Sequence, residues 1–342
     1  MSTPFEPSPS GDASDPPVSA ASDRAITDRV EGQGTLADDP LDAPAGQLDN
    51  ATVLERTRAM WQEREPPETN DPVDHHVREC HTSPRGIRLI AASRRGRAHA
   101  HDGSFREDCF HVAVTDGWTL VAVADGAGSK PLARVGARLA TRTAIDYLER
   151  VTREQFGPDE EIAPRLKGAL AGALAQAVAT LSEEAATRGR DVDDFASTLI
   201  LLAYGHSPST PWIGVAQVGD GGAAIRTQTE CATLGQPDRG AFAGEALFLT
   251  SPETQLTWVR RASVYRMSHP PTALLVATDG VMDDFTPPLG ALEALFIALE
   301  PLSLVVNSDQ WLLDWLGYER RGSFDDRTLV VVLPPTGPDP LR

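Results

Sequence analysis

The sequence predicts an α+β fold in which two antiparallel sheets pack together with helices outside, and three observations point to it. Two short Val-rich runs, Phe110 to Thr115 and Trp118 to Ala124, are separated by Asp116-Gly117, the dipeptide of a two-residue type I′ hairpin turn. Two long segments then carry apolar residues at near-helical spacing: Val135, Leu139, Ile145 and Leu148 in the first, Leu166, Leu170, Leu174, Ala177 and Leu181 in the second. Further strand candidates follow, then helices, then a last strand. Helices in pairs between runs of strands give that layering.

Taken in order, residues 1 to 50 are rich in Pro, Ser, Ala and Asp and carry ten acids against two arginines, too little apolar surface to offset the entropy of ordering. Ala51 to Glu65 is expected to form a short helix with Leu54 and Trp61 on one face, ended by Pro66-Pro67. Asn70 to Arg85 mixes acids with His75, His76, His81 and Cys80, and the spacing matches no zinc pattern. Ile87 to Ser93 reads as the first strand, and Gly96 to Asp108 as a long polar loop shaping the mouth of a pocket. After the hairpin come helices over Pro131 to Val151 and Pro164 to Arg188, the latter opening on a proline suited to a first turn. Strands are expected over Thr198 to Tyr204, Trp212 to Val218, Ala223 to Thr229 and Ala246 to Leu249. A poorly patterned stretch, Ser251 to Pro271, precedes the strand Thr272 to Ala277. Helices around Leu289 to Leu299 and Ser308 to Leu316 precede the last strand, Leu329 to Leu333.

Composition narrows the function classes. A formal charge of −18 over 342 residues argues against nucleic acid as a partner, because phosphate backbones attract basic surfaces. Cys80, Cys109 and Cys231 are odd in number and widely spaced, which fits a reducing compartment. The N-terminus has no signal-peptide pattern, and the longest apolar stretch, Ala169 to Leu181, is too short to span a bilayer. A cytoplasmic protein without a membrane partner is expected.

Four acidic stretches carry the chemistry. Glu107-Asp108 precedes the hairpin; Asp125 follows its second strand, ahead of Gly126 and Gly128; Asp279 closes the run Ala273 to Ala277; and Asp325-Asp326 precedes the last strand. Carboxylates at strand ends, with no Cys or His among them, make an oxygen-rich pocket for a hard divalent cation. In order, ED, VADGAGS, VGDG, ATDGVMDD and DDRT resemble the metal-dependent protein phosphatases of the 2C type, and within them the bacterial branch with DGAGS and GDG variants. The resemblance spans roughly Ile87 to Leu333. It implies an αββα sandwich, a phosphatase domain over residues 83–335, a disordered acidic tail over 1–82 and a short C-terminal tail over 336–342.

By that resemblance, Asp125 bridges two metal ions with help from the Gly126 carbonyl, and Asp279 and Asp325 serve the other metal. Asp108, with Glu107, matches the acids that hold metal-bound waters. Asp283 matches an acid supporting a third ion, with Asp193 or Asp194 as its partner, and Asp220 is mainly structural. The implied activity is a serine/threonine protein phosphatase of bacterial signalling, dependent on two or three Mn2+ or Mg2+ ions. It would be a monomer acting on phosphoserine or phosphothreonine proteins opposite a cognate kinase. Two departures stand out: Ala127 where eukaryotic members carry a proposed acid His, and Gly103 where the family has its phosphate-binding Arg. Arg94, Arg95, Arg97 and Arg106 are the candidates to replace the latter, and His99 lies in the same loop. Competing readings are a pseudophosphatase that binds phosphoproteins without turnover, motivated by Gly103, and a small-molecule metallophosphatase or phosphodiesterase. Since the first 82 residues hold none of the acidic motifs, they are expected to be dispensable for chemistry.

Overall fold

The structure is a computed structural model describing residues 61–153, 159–207, 210–236, 247–255, 257–285 and 291–335. Its first strand, β1 (His76–Thr82), pairs along its whole length with β2 (Arg88–Arg94). A one-and-a-half-turn helix, α1 (Arg97–Asp102), interrupts what the sequence reads as a loop. The hairpin follows as β3 (Cys109–Val114) and β4 (Trp118–Ala124), then the long helices α2 (Ala133–Arg153) and α3 (Asp159–Arg188). Strands β5 (Leu199–Gly205), β6 (Trp212–Val218), β7 (Gly222–Arg226) and β8 (Cys231–Leu234) come next. The chain continues through α4 (Pro252–Gln255), α5 (Trp258–Arg261), β9 (Ala262–Arg266) and β10 (Ala273–Ala277). Helices α6 (Asp279–Phe285), α7 (Ala291–Ala298) and α8 (Ser308–Trp315) lead to β11 (Arg327–Leu333).

Two antiparallel sheets result, ordered β1-β2-β11-β10-β7-β8 and β3-β4-β5-β6-β9. Leu89, Phe110, Val121, Ile200, Val276 and Val330 fill the space between them. Leu148, Leu170 and Leu174 of α2 and α3 cover the outer face of the second sheet, and Leu295, Phe296 and Leu312 of α7 and α8 cover that of the first. The central strands of each sheet are therefore buried on both faces, which is why β4, β5 and β6 read as continuous apolar runs rather than alternating ones. This is the αββα sandwich.

Several expectations need correcting. The hairpin turn is not type I′, since Gly117 does not have a positive φ. The turn is closed instead by Thr115, whose N–H donates to the Trp118 carbonyl (2.8 Å) and whose Oγ1 accepts from the Trp118 N–H (3.0 Å). Residues 247 and 248 carry no regular structure and Leu249 lies in a turn, so no strand forms there; the missing pairings come from β8 and β9. Both are edge strands with mixed burial, so neither shows the apolar run or clean alternation that marks a strand in sequence. The tail boundary at residue 82 is also too late, because β1 is hydrogen-bonded into its sheet. Residues 1–60 and 336–342 lie outside the described residues, including most of the helix expected over 51–65; Trp61 to Glu65 have no regular structure.

Candidate metal centre

Strand register explains how acids far apart in sequence meet. Cys109 pairs with Ala124, so Asp108 and Asp125 sit side by side at one end of the hairpin. Ala277 pairs with Leu329, and the Thr278 N–H donates to the Thr328 carbonyl (3.1 Å), which sets Asp279 beside the Asp325-Asp326 pair. Sheet stacking then brings both pairs to one end of the sandwich.

Asp108 is almost fully buried, and its Oδ2 accepts from Thr278 Oγ1 (2.8 Å). Burial, followed by the charges of Asp108, Asp279 and Asp325, pushes Asp125 well above the ordinary carboxylate range. Burial and then Asp326 do the same to Asp108, and burial and then Asp326 raise Asp325. Burial, then Asp220 and Asp325, lifts Asp279 to about 7. Gly126 forms a bridge with Ser197, and a Cβ there would come within 2.8 Å of the Ala133 backbone, so only glycine lets α2 start against this loop. Gly280 is required for a similar reason: its Cβ would collide with the Asp326 carbonyl at 1.9 Å.

Asp326, which the sequence offers only as the second acid of DDRT, holds the site together. Its buried carboxylate accepts from the backbone N–H groups of Gly96 (2.6 Å), Glu107 (2.6 Å) and Asp108 (3.3 Å). His99 Nδ1 lies 2.8 Å from its Oδ1. Burial opposes the charged imidazole, yet Asp326, helped by Asp325 and Glu107, raises His99 to about 9. Burial lifts Glu107 to about 7. The signal in sequence was weak, because a carboxylate that organises backbone amides looks the same there as one that faces solvent.

Asp283 lines the same groove as Asp279 and adds to the charge there. Burial, then Asp220 and Asp284, raises it, so its neighbours are Asp220 and Asp284 rather than Asp193 or Asp194. Asp193 is engaged by Lys130. Asp220, expected to be structural, contributes charge at Asp279, Asp283 and Asp325 and belongs with the acidic group. The absence of Arg at position 103 has a local cause: Gly103 caps α1 with φ +70, and a Cβ would meet the Glu65 carbonyl at 3.3 Å. Arg106 does not replace it, being buried and committed to the carbonyls of Asp74 and Asp108 and to Ser93 Oγ (2.7 Å).

The acids open into a groove of about 590 Å³ lined by His99, Glu107, Asp279, Asp283 and Asp325, among others, and by no Lys or Arg. A crowd of carboxylates raised by burial and by one another, with His99 the only basic side chain among the described residues that line the groove, fits hard divalent cations.

Among known proteins, the family model described as Protein phosphatase 2C matches residues 95–317. No curated protein sequence matches the chain. Among solved structures, a serine-threonine phosphatase 2C from Toxoplasma gondii superposes with a TM-score of 0.54 at 14% identity, over 76% of this chain and 99% of its own. A C. elegans sex determining protein gives 0.51 at 12% identity, over 73% of this chain and 65% of its own. The Mycobacterium tuberculosis serine/threonine phosphatase PstP/Ppp gives 0.48 at 17% identity, over 72% and 98%. With the family model covering more than half its length and the sandwich shared, the chain belongs to the protein phosphatase 2C family.

Proposed function

We propose that the protein is a Mn2+- or Mg2+-dependent serine/threonine protein phosphatase. The observation that carries this reading is the convergence of Asp108, Asp125, Asp279 and Asp325 from four strand ends, with their pKa values raised by burial and by neighbouring acids. In this reading Asp125, the most surrounded of the four, would hold the cations together with Asp108, Asp279, Asp325 and the Gly126 carbonyl. Asp283, paired with Asp220, would serve a third. The chemistry supplied by such cations when bound is neutralisation of phosphoryl oxygens and a lowered pKa for the attacking water.

The chain's own residues position and screen. Asp326 fixes the Glu107-Asp108 loop against β11, and Thr278 orients Asp108. His99 places a positive charge on the groove wall. The substrate class is a phosphoserine or phosphothreonine protein, with a cognate kinase as its counterpart; a monomer in the cytoplasm is the simplest setting. Among the described residues no helix is long and apolar enough to cross a membrane.

A second reading, binding of phosphoproteins without turnover, is favoured by the lack of Lys and Arg along the groove. Phosphate release from a phosphothreonine peptide separates the two. Turnover that EDTA abolishes and Mn2+ restores supports the enzyme; peptide binding with no release supports the reader.

A further inference from the structure

Ser323, Phe324 and Asp325 line not one cavity but two. The second, of about 240 Å³, has the opposite character: Arg94, Arg95, Arg97, Arg327, His75 and His76 converge on it, against the carboxylates of Glu63 and Asp325. In a protein of net charge −18 such a concentration of cations is unexpected. Arg97 and Arg327 are balanced locally, by Glu319 and by Asp284 (3.5 Å). Arg94 and Arg95 make no ion pair with a carboxylate among the described residues.

Arg95 is 8% exposed. Its Nη2 donates to the carbonyls of Arg64 (2.9 Å) and His99 (3.0 Å) and its Nη1 lies 3.2 Å from His75 Nε2, but its Nε is buried with no partner. The unpartnered Nε leaves the positive charge of Arg95 incompletely compensated beside the cavity, where it attracts an anion. Arg94 is anchored by a single 3.3 Å bond from Nη1 to the Leu313 carbonyl, which leaves its other donors for a ligand. The open donors of Arg94, beside the charge of Arg95 on one small cavity, suit the oxygens of a phosphoryl group.

We propose that this cavity is a phosphoryl-binding site, distinct from the acidic groove and separated from it by the Phe324-Asp325 segment. It takes either inorganic phosphate or a phosphoryl group carried on a peptide. The segment before β1 and the first residue of that strand supply one of its walls, through Glu63, His75 and His76. The site needs no metal, so it stands or falls independently of the phosphatase reading.

Calorimetric titration of the full chain in EDTA, at ionic strength fixed with chloride, tests it. The ligands are inorganic phosphate and a phosphothreonine peptide, with the unphosphorylated peptide as control. Saturable binding of either phosphorylated ligand is expected, weakened at least tenfold in Arg94→Gln and less in Arg97→Gln. Arg142→Gln, which removes a charge from an exposed helix pair elsewhere, should leave it unchanged. Saturation by phosphate alone identifies the free ion as the ligand, and saturation by the peptide alone identifies the peptide-borne group. Unaltered melting of the variants excludes unfolding as the cause, and Arg94→Lys, which keeps the charge, should recover part of the affinity. No saturable binding by wild type, or equal binding in Arg94→Gln, Arg97→Gln and Arg142→Gln, overturns the proposal.

Discussion

Two cavities share one wall, and they are built in opposite ways. The acidic groove draws on strand ends, so its carboxylates are placed by sheet register, and each acid arrives in a short recognisable motif. The basic cavity draws on residues scattered over the segment before β1, the β2–α1 connection and the turn after α8. The difference teaches that a site with excess like charge must be held by hydrogen bonds from beneath, whereas a site with excess cations can be left partly unsatisfied until an anion arrives.

The largest expected effect breaks the acidic half alone. Asp125→Asn should lower turnover of a phosphothreonine peptide by about 10³-fold or more, since it removes a charge from the centre of the donor set. In metal-free protein the same change relieves repulsion, so the melting temperature should rise while phosphate binding in the basic cavity stays unaltered. A melting temperature that falls would make Asp125 a structural turn residue.

Next comes the shared scaffold. A chain starting at Ser83 loses β1 and the Asp74 carbonyl that Arg106 Nε donates to (3.0 Å). The sequence alone makes this truncation harmless; the structure makes it strongly destabilising. Trp61→Ala is the finer version: its ring lies 4.8 Å from Phe324 and 5.2 Å from His101, centroid to centroid, so truncation should cost about 1–2 kcal/mol of stability. A truncated chain with unchanged melting and activity would restore the later boundary.

A smaller effect is in pH. Asp279 and Glu107 are each raised to about 7, from 3.8 and 4.5, so the folded state holds their protons more tightly than the unfolded chain. Their contribution to stability is complete below the ordinary carboxylate values and lost as pH rises through about 7. His99, raised to about 9, has the same sign, its contribution fading as pH climbs from 6.5 to that value. His206, lowered to about 4 by burial, has the opposite sign and weakens the fold as pH falls below 6.5. The melting temperature of EDTA-treated protein should therefore drop between about pH 5 and 8, and Mn2+ should flatten the slope. The smallest effect is expected of Asp283→Asn, a mild loss of activity that depends on metal concentration; a loss as deep as that of Asp125→Asn would move Asp283 into the central set.

Much of this was legible in sequence because central strands and long helices bury whole faces. Trp118 to Ala124 and Trp212 to Val218 were bounded to the residue by their apolar runs. Edge strands were not: β8 and β9 are half exposed, and β1 is a polar strand, HVRECHT, held by backbone bonds and by contact with α8. Within the site, Asp125 and Asp279 stood out because glycine follows each where a Cβ would clash. Asp326 did not, because what distinguishes it is three backbone N–H groups brought from residues 96, 107 and 108 by folding. Arg95 was legible as a candidate phosphate-binding side chain; its unpartnered Nε is a property of its burial.

The most direct test of the central claim is phosphate release from a phosphothreonine peptide by the full chain, measured with Mn2+, after EDTA, and after Mn2+ is restored. Turnover that vanishes with EDTA, returns with Mn2+ and is absent from Asp125→Asn is the predicted result. Release that persists without metal, or peptide binding with no release under any metal condition, would contradict it.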